Sequence, residues 1–126
     1  MNDMNHFAAV GRLTADAKLA YTTNGSAILN FSIAVNRSKK QGDQWVDDAS
    51  FFTCKAFGKM AEAVNPYFKK GQQIAIEGYM KQERWEDQEG VHQSRVVLCA
   101  DNVQLVGGHR DNSNGGYEPN YNSYGA

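Results

Sequence analysis

A chain of 126 residues fits one domain with a short appendage. Its 41% hydrophobic content supports a real core. A mean hydropathy of −0.60 excludes a membrane protein, as does the lack of any apolar run near the roughly 20 residues of a spanning helix. With 13 basic and 14 acidic residues the net charge is −1, so charge alone does not announce a polyanion partner.

The first predicted strand covers residues 6–13, and Asn24-Gly25 marks a turn beyond it. The second, residues 28–37, alternates Leu29, Phe31, Ile33 and Val35 with Asn30, Ser32, Ala34 and Asn36, a period of two. A polar loop follows over residues 38–48, containing Gly42-Asp43 and Trp45. The third strand, residues 49–57, carries Phe51, Thr53, Lys55 and Phe57 on one face. Its other face, with Phe52, Cys54 and Ala56, is wholly apolar and suits a core.

The period then changes. Met60, Val64, Tyr67 and Phe68 form one stripe of a helix, closed by Lys69-Lys70-Gly71. Pro66 removes a hydrogen bond and clashes with the carbonyl of Glu62, so this helix is expected to be short, kinked or restarted. The fourth strand, residues 73–85, places Ile74, Ile76, Gly78 and Met80 on one side, with a bulge or bend expected at Gly78. Residues 86–90 turn the chain into a fifth strand, residues 93–105.

Three strands, one helix and two more strands is the order of an all-β, five-stranded oligonucleotide/oligosaccharide-binding (OB) barrel with a helix between strands three and four. The barrel domain is expected over residues 1–107. Residues 108–126 are rich in Gly, Asn, Ser and Tyr and nearly free of aliphatics, and are expected to be a disordered tail. Cys54 and Cys99 lie in apolar strand-like segments and read as buried free thiols. His6, His92 and His109 show no metal-ligand spacing, and neither a metal nor a cofactor is expected. The N-terminus has neither the basic region nor the apolar stretch of a secretory signal, which points to the cytoplasm.

Taken alone, the third strand has a plain reading in which Phe51 and Phe57 are covered by the barrel or by a partner subunit. Other strands turn that reading. Tyr79, Lys81, Glu83 and Trp85 share a parity on the fourth strand, and Arg12 belongs to the first. Rings of Phe51, Phe57 and Trp85 on one surface suit base stacking, worth roughly 1–3 kcal/mol per base. Arg12, Lys55, Lys59, Lys81 and Arg84 are the candidate phosphate contacts. Trp45 is open to two readings, a further platform or a packing residue at the barrel mouth.

The motifs carry a family resemblance. They are Val10-Gly11-Arg12-Leu13, Tyr21-Thr22-Thr23-Asn24-Gly25 and Ala56-Phe57-Gly58-Lys59-Met60-Ala61-Glu62, then Tyr67-Phe68-Lys69-Lys70-Gly71 and Ile76-Glu77-Gly78. Arg84-Trp85-Glu86-Asp87 and the run from Asp101 to Gly107 complete an ordered set of seven. In them the chain resembles the bacterial single-stranded DNA-binding proteins over residues 5–107. The resemblance implies a barrel, usually a homotetramer, that coats single-stranded DNA without sequence preference in replication, recombination and repair. It implies a nucleoid-associated cytoplasmic setting and stacking roles for Phe51, Phe57 and Trp85. The family's loop tryptophan aligns near Lys39. Thr53 stands where the family often has Arg, Phe52 where it often has His, and Glu83 interrupts a stretch that is often basic. The chain ends Asn122-Ser123-Tyr124-Gly125-Ala126, without the acidic, Phe-terminated tip by which family members commonly recruit replication and repair proteins.

Two other classes compete. A primosomal or recombination adaptor on the same barrel would use the aromatic face mainly for protein. A small nuclease would need converging carboxylates. Glu77 and the acids at residues 86–89 are its only candidates, and they fit strand and turn roles better.

Overall fold

The computed structural model describes residues 1–107. The expected tail, residues 108–126, lies outside the described residues. Six strands and one short helix follow one another as β1 (Phe7–Leu13), β2 (Lys18–Tyr21), β3 (Ala27–Gln41), β4 (Gln44–Phe57), α1 (Gly58–Val64), β5 (Gln73–Glu86) and β6 (His92–Leu105).

Five of the strands close a barrel in the order β1-β5-β6-β4-β3 and back to β1. Closure comes from Arg12 pairing with Ala34 and Leu13 with Ile33. Close approach there depends on Gly11, where a Cβ would stand 2.7 Å from the carbonyl oxygen of Ala34. The short β2 then takes over along β3, pairing Lys18–Tyr21 with residues 27–30. The first barrel strand is therefore interrupted at residues 14–17. Its backbone there bonds outside the ladder, Thr14 N–H to Ser32 and Ala17 N–H to Phe68.

The alternation on β3 is the inner wall. Ala27, Leu29, Phe31 and Ile33 are buried, with Cys54 and Ala56 of β4, Ile74 and Ile76 of β5, and Leu98 and Ala100 of β6. α1 and Phe68 contribute to the same cluster; Ala61 and Phe68 are fully buried, and Phe68 meets Phe31 edge-on at 5.0 Å. The helix ends at Val64 and a 3-10 turn restarts over Asn65–Tyr67 with Pro66 in its first positions, as its ring requires. Two details of the expected stripe change. Tyr67 is exposed, and Lys69 and Lys70 lie past the helical turns, where Lys70 N–H is held by Asp16.

Gly78 sits at a register shift between β5 and β6. A Cβ there would stand 1.9 Å from the Cys99 carbonyl oxygen, so only glycine lets the strands meet at this bulge.

The polar loop expected over residues 38–48 is instead a ribbon. β3 and β4 stay paired out to Gln41 and Gln44, joined by the two-residue Gly42-Asp43 turn. β5 and β6 likewise stay paired to Glu86 and His92. Beyond the barrel a two-stranded ribbon meets water on both faces, which explains the missing apolar alternation. For the same reason Phe52 and Met80, expected inside, are exposed: each lies where its strand leaves the core. No described helix is long and apolar enough to cross a membrane.

Candidate nucleic-acid interface

The outer surface of β4, β6 and β5 gathers the aromatic and cationic side chains. Lys55 pairs with Cys99, and Cys99 with Tyr79, which fixes one cross-strand row. Further along the β5–β6 ribbon, Lys81 faces Val97, Glu83 faces Arg95 and Trp85 faces Gln93. On the other side, Phe51 pairs with Ala34 and Ala34 with Arg12, a second row that reaches β1. The rings are open to solvent: Trp45 by 70%, Phe51 by 68%, Trp85 by 46%, Phe57 by 42% and Tyr79 by 38%. Leaving five large rings uncovered is costly for a soluble surface without a partner.

Local backbone chemistry places them. Phe57 is the last extended residue before α1, and Gly58, at φ 72°, allows strand to pass into helix with no linker. Phe57 thus stands at the rim of the barrel, with Lys59 exposed two residues on. Trp85 is held by the ribbon's turn, where Asp87 accepts from the N–H groups of Glu89 and Val91, each at 2.9 Å, and from Gln93 Nε2 at 3.1 Å. The Val91 bond above all, then Gln93, keeps the Asp87 carboxyl below its usual range.

Charges interleave with the rings. Lys55 Nζ donates to Glu83 Oε2 at 2.7 Å, and Arg95 donates from Nε and Nη2 to Glu83 Oε1 at 3.2 Å. Arg95 also lies over Trp85, 5.6 Å from the ring centroid. A groove of about 640 Å³ runs here, lined by Lys81, Gln82, Glu83, Arg84, Trp85 and Arg95. A smaller hollow of about 360 Å³ lies against Ala8, Val10, Ala75 and Glu77, away from the aromatic rows.

Not every candidate joins the face. Arg84 alternates to the opposite side of the ribbon, donating to Gln82 Oε1 at 2.6 Å, although it borders the groove. Arg12 donates to the Gly71 carbonyl at 2.9 Å. Lys39 pairs with Val46 on the opposite face from Trp45, and it is Lys40 that pairs with Trp45. Trp45 stands near the end of the ribbon rather than at the barrel mouth. Arg95 escaped sequence reasoning because only the β5–β6 register, counted back from the turn at Glu86 and His92, sets it opposite Glu83.

Both cysteines are buried free thiols, and burial pushes Cys54 up to about 12, leaving it protonated at neutral pH. Among the described residues no cluster of His, Cys, Asp or Glu could hold a metal ion.

Comparison with known proteins agrees with this geometry. The model of the single-strand binding protein family matches residues 4–106. A single-stranded DNA-binding protein of Treponema pallidum is 49% identical over 107 residues, covering 85% of this chain and 60% of that protein. One from Borreliella burgdorferi is 44% identical over 106 residues, covering 83% and 71%. A crystal structure of a deletion mutant of the single-stranded DNA-binding protein from Thermus aquaticus superposes with a TM-score of 0.73 at 26% identity, over 83% of this chain and 51% of that one. The chain thus spans between half and three-quarters of the length of these relatives. With a family model matched across nearly all of its described residues, this chain belongs to the single-strand binding protein family.

Proposed function

We propose that this protein binds single-stranded DNA without sequence preference and coats it during replication, recombination and repair. The observation that carries the reading is the run of exposed rings interleaved with cations on the outer face of β4, β6 and β5. A ring stacks on any base, so such a face binds without reading sequence, while lysine and arginine neutralise phosphates. Phe51, Phe57 and Trp85 are the stacking platforms. Tyr79 and Trp45 extend them, Lys55, Lys59, Lys81 and Arg95 supply positive charge on this face, and Arg84 borders its groove. Residues 1–107 form the binding unit. Binding leaves the strand chemically unchanged.

Membership of the family supports three further parts of the reading. The protein assembles as a homotetramer, works in the cytoplasm with the nucleoid, and meets replication and repair proteins on the coated strand.

Fluorescence anisotropy with labelled oligonucleotides tests the core of it. Single strands of different sequence are expected to bind with similar affinity, and the matching duplex far more weakly because its bases are already stacked. Equal affinity for the duplex contradicts the stacking mechanism. Light scattering on the same sample reads the assembly: the mass of four copies supports the tetramer, and the mass of one removes it.

A further inference from the structure

Among the described residues that line the groove, Glu83 is the one carboxylate, and it holds both Lys55 and Arg95. One oxygen takes Lys55 at 2.7 Å; the other takes two N–H groups of Arg95 at 3.2 Å. The three side chains come from three neighbouring strands, β4, β5 and β6, so the sheet itself sets their separation. Lys55 and Glu83 are also largely withdrawn from solvent, with side-chain exposures of 20% and 25%. Partial desolvation makes such a pair stronger than an open surface pair. The hydrogen bond from Lys55, aided by Arg95, holds the Glu83 carboxyl below the usual carboxylate range, so it is ionised at neutral pH.

Arg95 continues from Glu83 onto the ring of Trp85. A base stacking on Trp85 brings its phosphates to this spot. There they meet two cations already engaged and an anion between them. Resting on the strand-binding reading above, we infer that Glu83 sets the affinity of this face: it is an internal anion that occupies Lys55 and Arg95 in the free protein and that the phosphates of the strand must displace.

The local charge makes the consequence quantitative. Lys55 and Arg95 against Glu83 sum to +1, and with Glu83→Gln they sum to +2. Displaced but still charged, Glu83 leaves the wild type with the net effect of one neutralised phosphate, where the variant has two. Each phosphate contact on a single strand adds about 0.7 to the steepness of affinity against salt on logarithmic axes. If the two proteins converge near 1 M salt, the variant binds about 8-fold more tightly near 50 mM. The opposite role is as definite. If Glu83 instead positions Arg95 and Lys55 for the strand, removing it weakens binding and leaves the salt slope unchanged.

Oligothymidine titrations of the full chain from about 50 mM to 1 M salt decide between these, using wild type, Glu83→Gln and Glu83→Ala, with thermal melts to verify folding. Tighter binding near 50 mM with a slope steeper by about 0.7 supports the inference. Equal or weaker binding with an unchanged slope overturns it. A reading on wild type alone does not depend on either variant folding: the Arg95 Nε–H resonance is expected to move when oligothymidine saturates the protein. A resonance that stays in place overturns the displacement. Wild type that binds no oligothymidine near 50 mM salt overturns the strand-binding reading itself, whereas normal wild-type binding with unaltered variants removes only the role of Glu83.

Discussion

Replacing Phe57 and Trp85 together by alanine is expected to weaken binding of oligothymidine by roughly 2–6 kcal/mol, the sum of two stacked bases at 1–3 each. The sum is justified by their separation. Phe57 lies at the barrel rim, two residues along β4 from Lys55, and Lys55 shares a row with Tyr79. Trp85 is six residues of extended strand beyond Tyr79, about 20 Å along the ribbon. Two rings so far apart share no neighbour, so their losses add. The rings are half-exposed in the free protein, and removing them leaves no core cavity. Stability should hardly move, and a thermal melt alongside the titration checks this. Wild-type affinity in the double variant would show that the bases stack elsewhere.

Phe68→Ala acts in the opposite way, on folding rather than binding. Phe68 is fully buried and packs edge-on against Phe31, with 81° between the rings. Its backbone carbonyl accepts from Ala17 N–H at 2.9 Å, joining the 3-10 turn to the break between β1 and β2. Gly71 N–H to Leu13 and Leu13 N–H to Gln72 continue the same seam. No small rearrangement refills a site tied down on both sides, so a cavity remains. The expected cost is about 3–5 kcal/mol. Urea denaturation should show a lower midpoint with an unchanged slope, since the surface exposed on unfolding is nearly the same. A loss under about 1 kcal/mol would mean that the barrel collapses onto the gap.

The parts of this molecule that were legible in the sequence are those set by local chemistry. Leu29, Phe31 and Ile33 reveal the inner wall because β3 has water on one side and core on the other. Pro66 and Gly78 reveal a restarted helix and a bulge because one lacks an N–H and the other lacks a Cβ. The ribbons were not legible. Residues 36–49 show no apolar alternation because both faces of the ribbon meet water, and pairing alone distinguishes them from a loop. Phe52 obeys the alternation of its strand yet lies beyond the place where the core ends.

The proposed binding face divides along the same line. Phe51, Lys55 and Phe57 share a side because alternation within one strand says so, and Tyr79, Lys81 and Trp85 likewise. Which strand lies beside which is a matter of register. Register brings Arg95 to Glu83 and Trp85, puts Lys40 rather than Lys39 beside Trp45, and turns Arg84 to the far side of the ribbon. Net charge stayed uninformative because acids and bases alternate over the face instead of segregating; the Glu83 pairs are the clearest case.

The central claim is that bases stack on this outer face. Trp45→Phe leaves Trp85 as the single tryptophan of the two in the chain, and its emission then reports on one ring. Titrating that protein with oligothymidine at low salt should quench the emission to a plateau, and added salt should restore it as the phosphates recover their counterions. Emission from Trp85 that stays constant while the oligonucleotide binds would contradict the account.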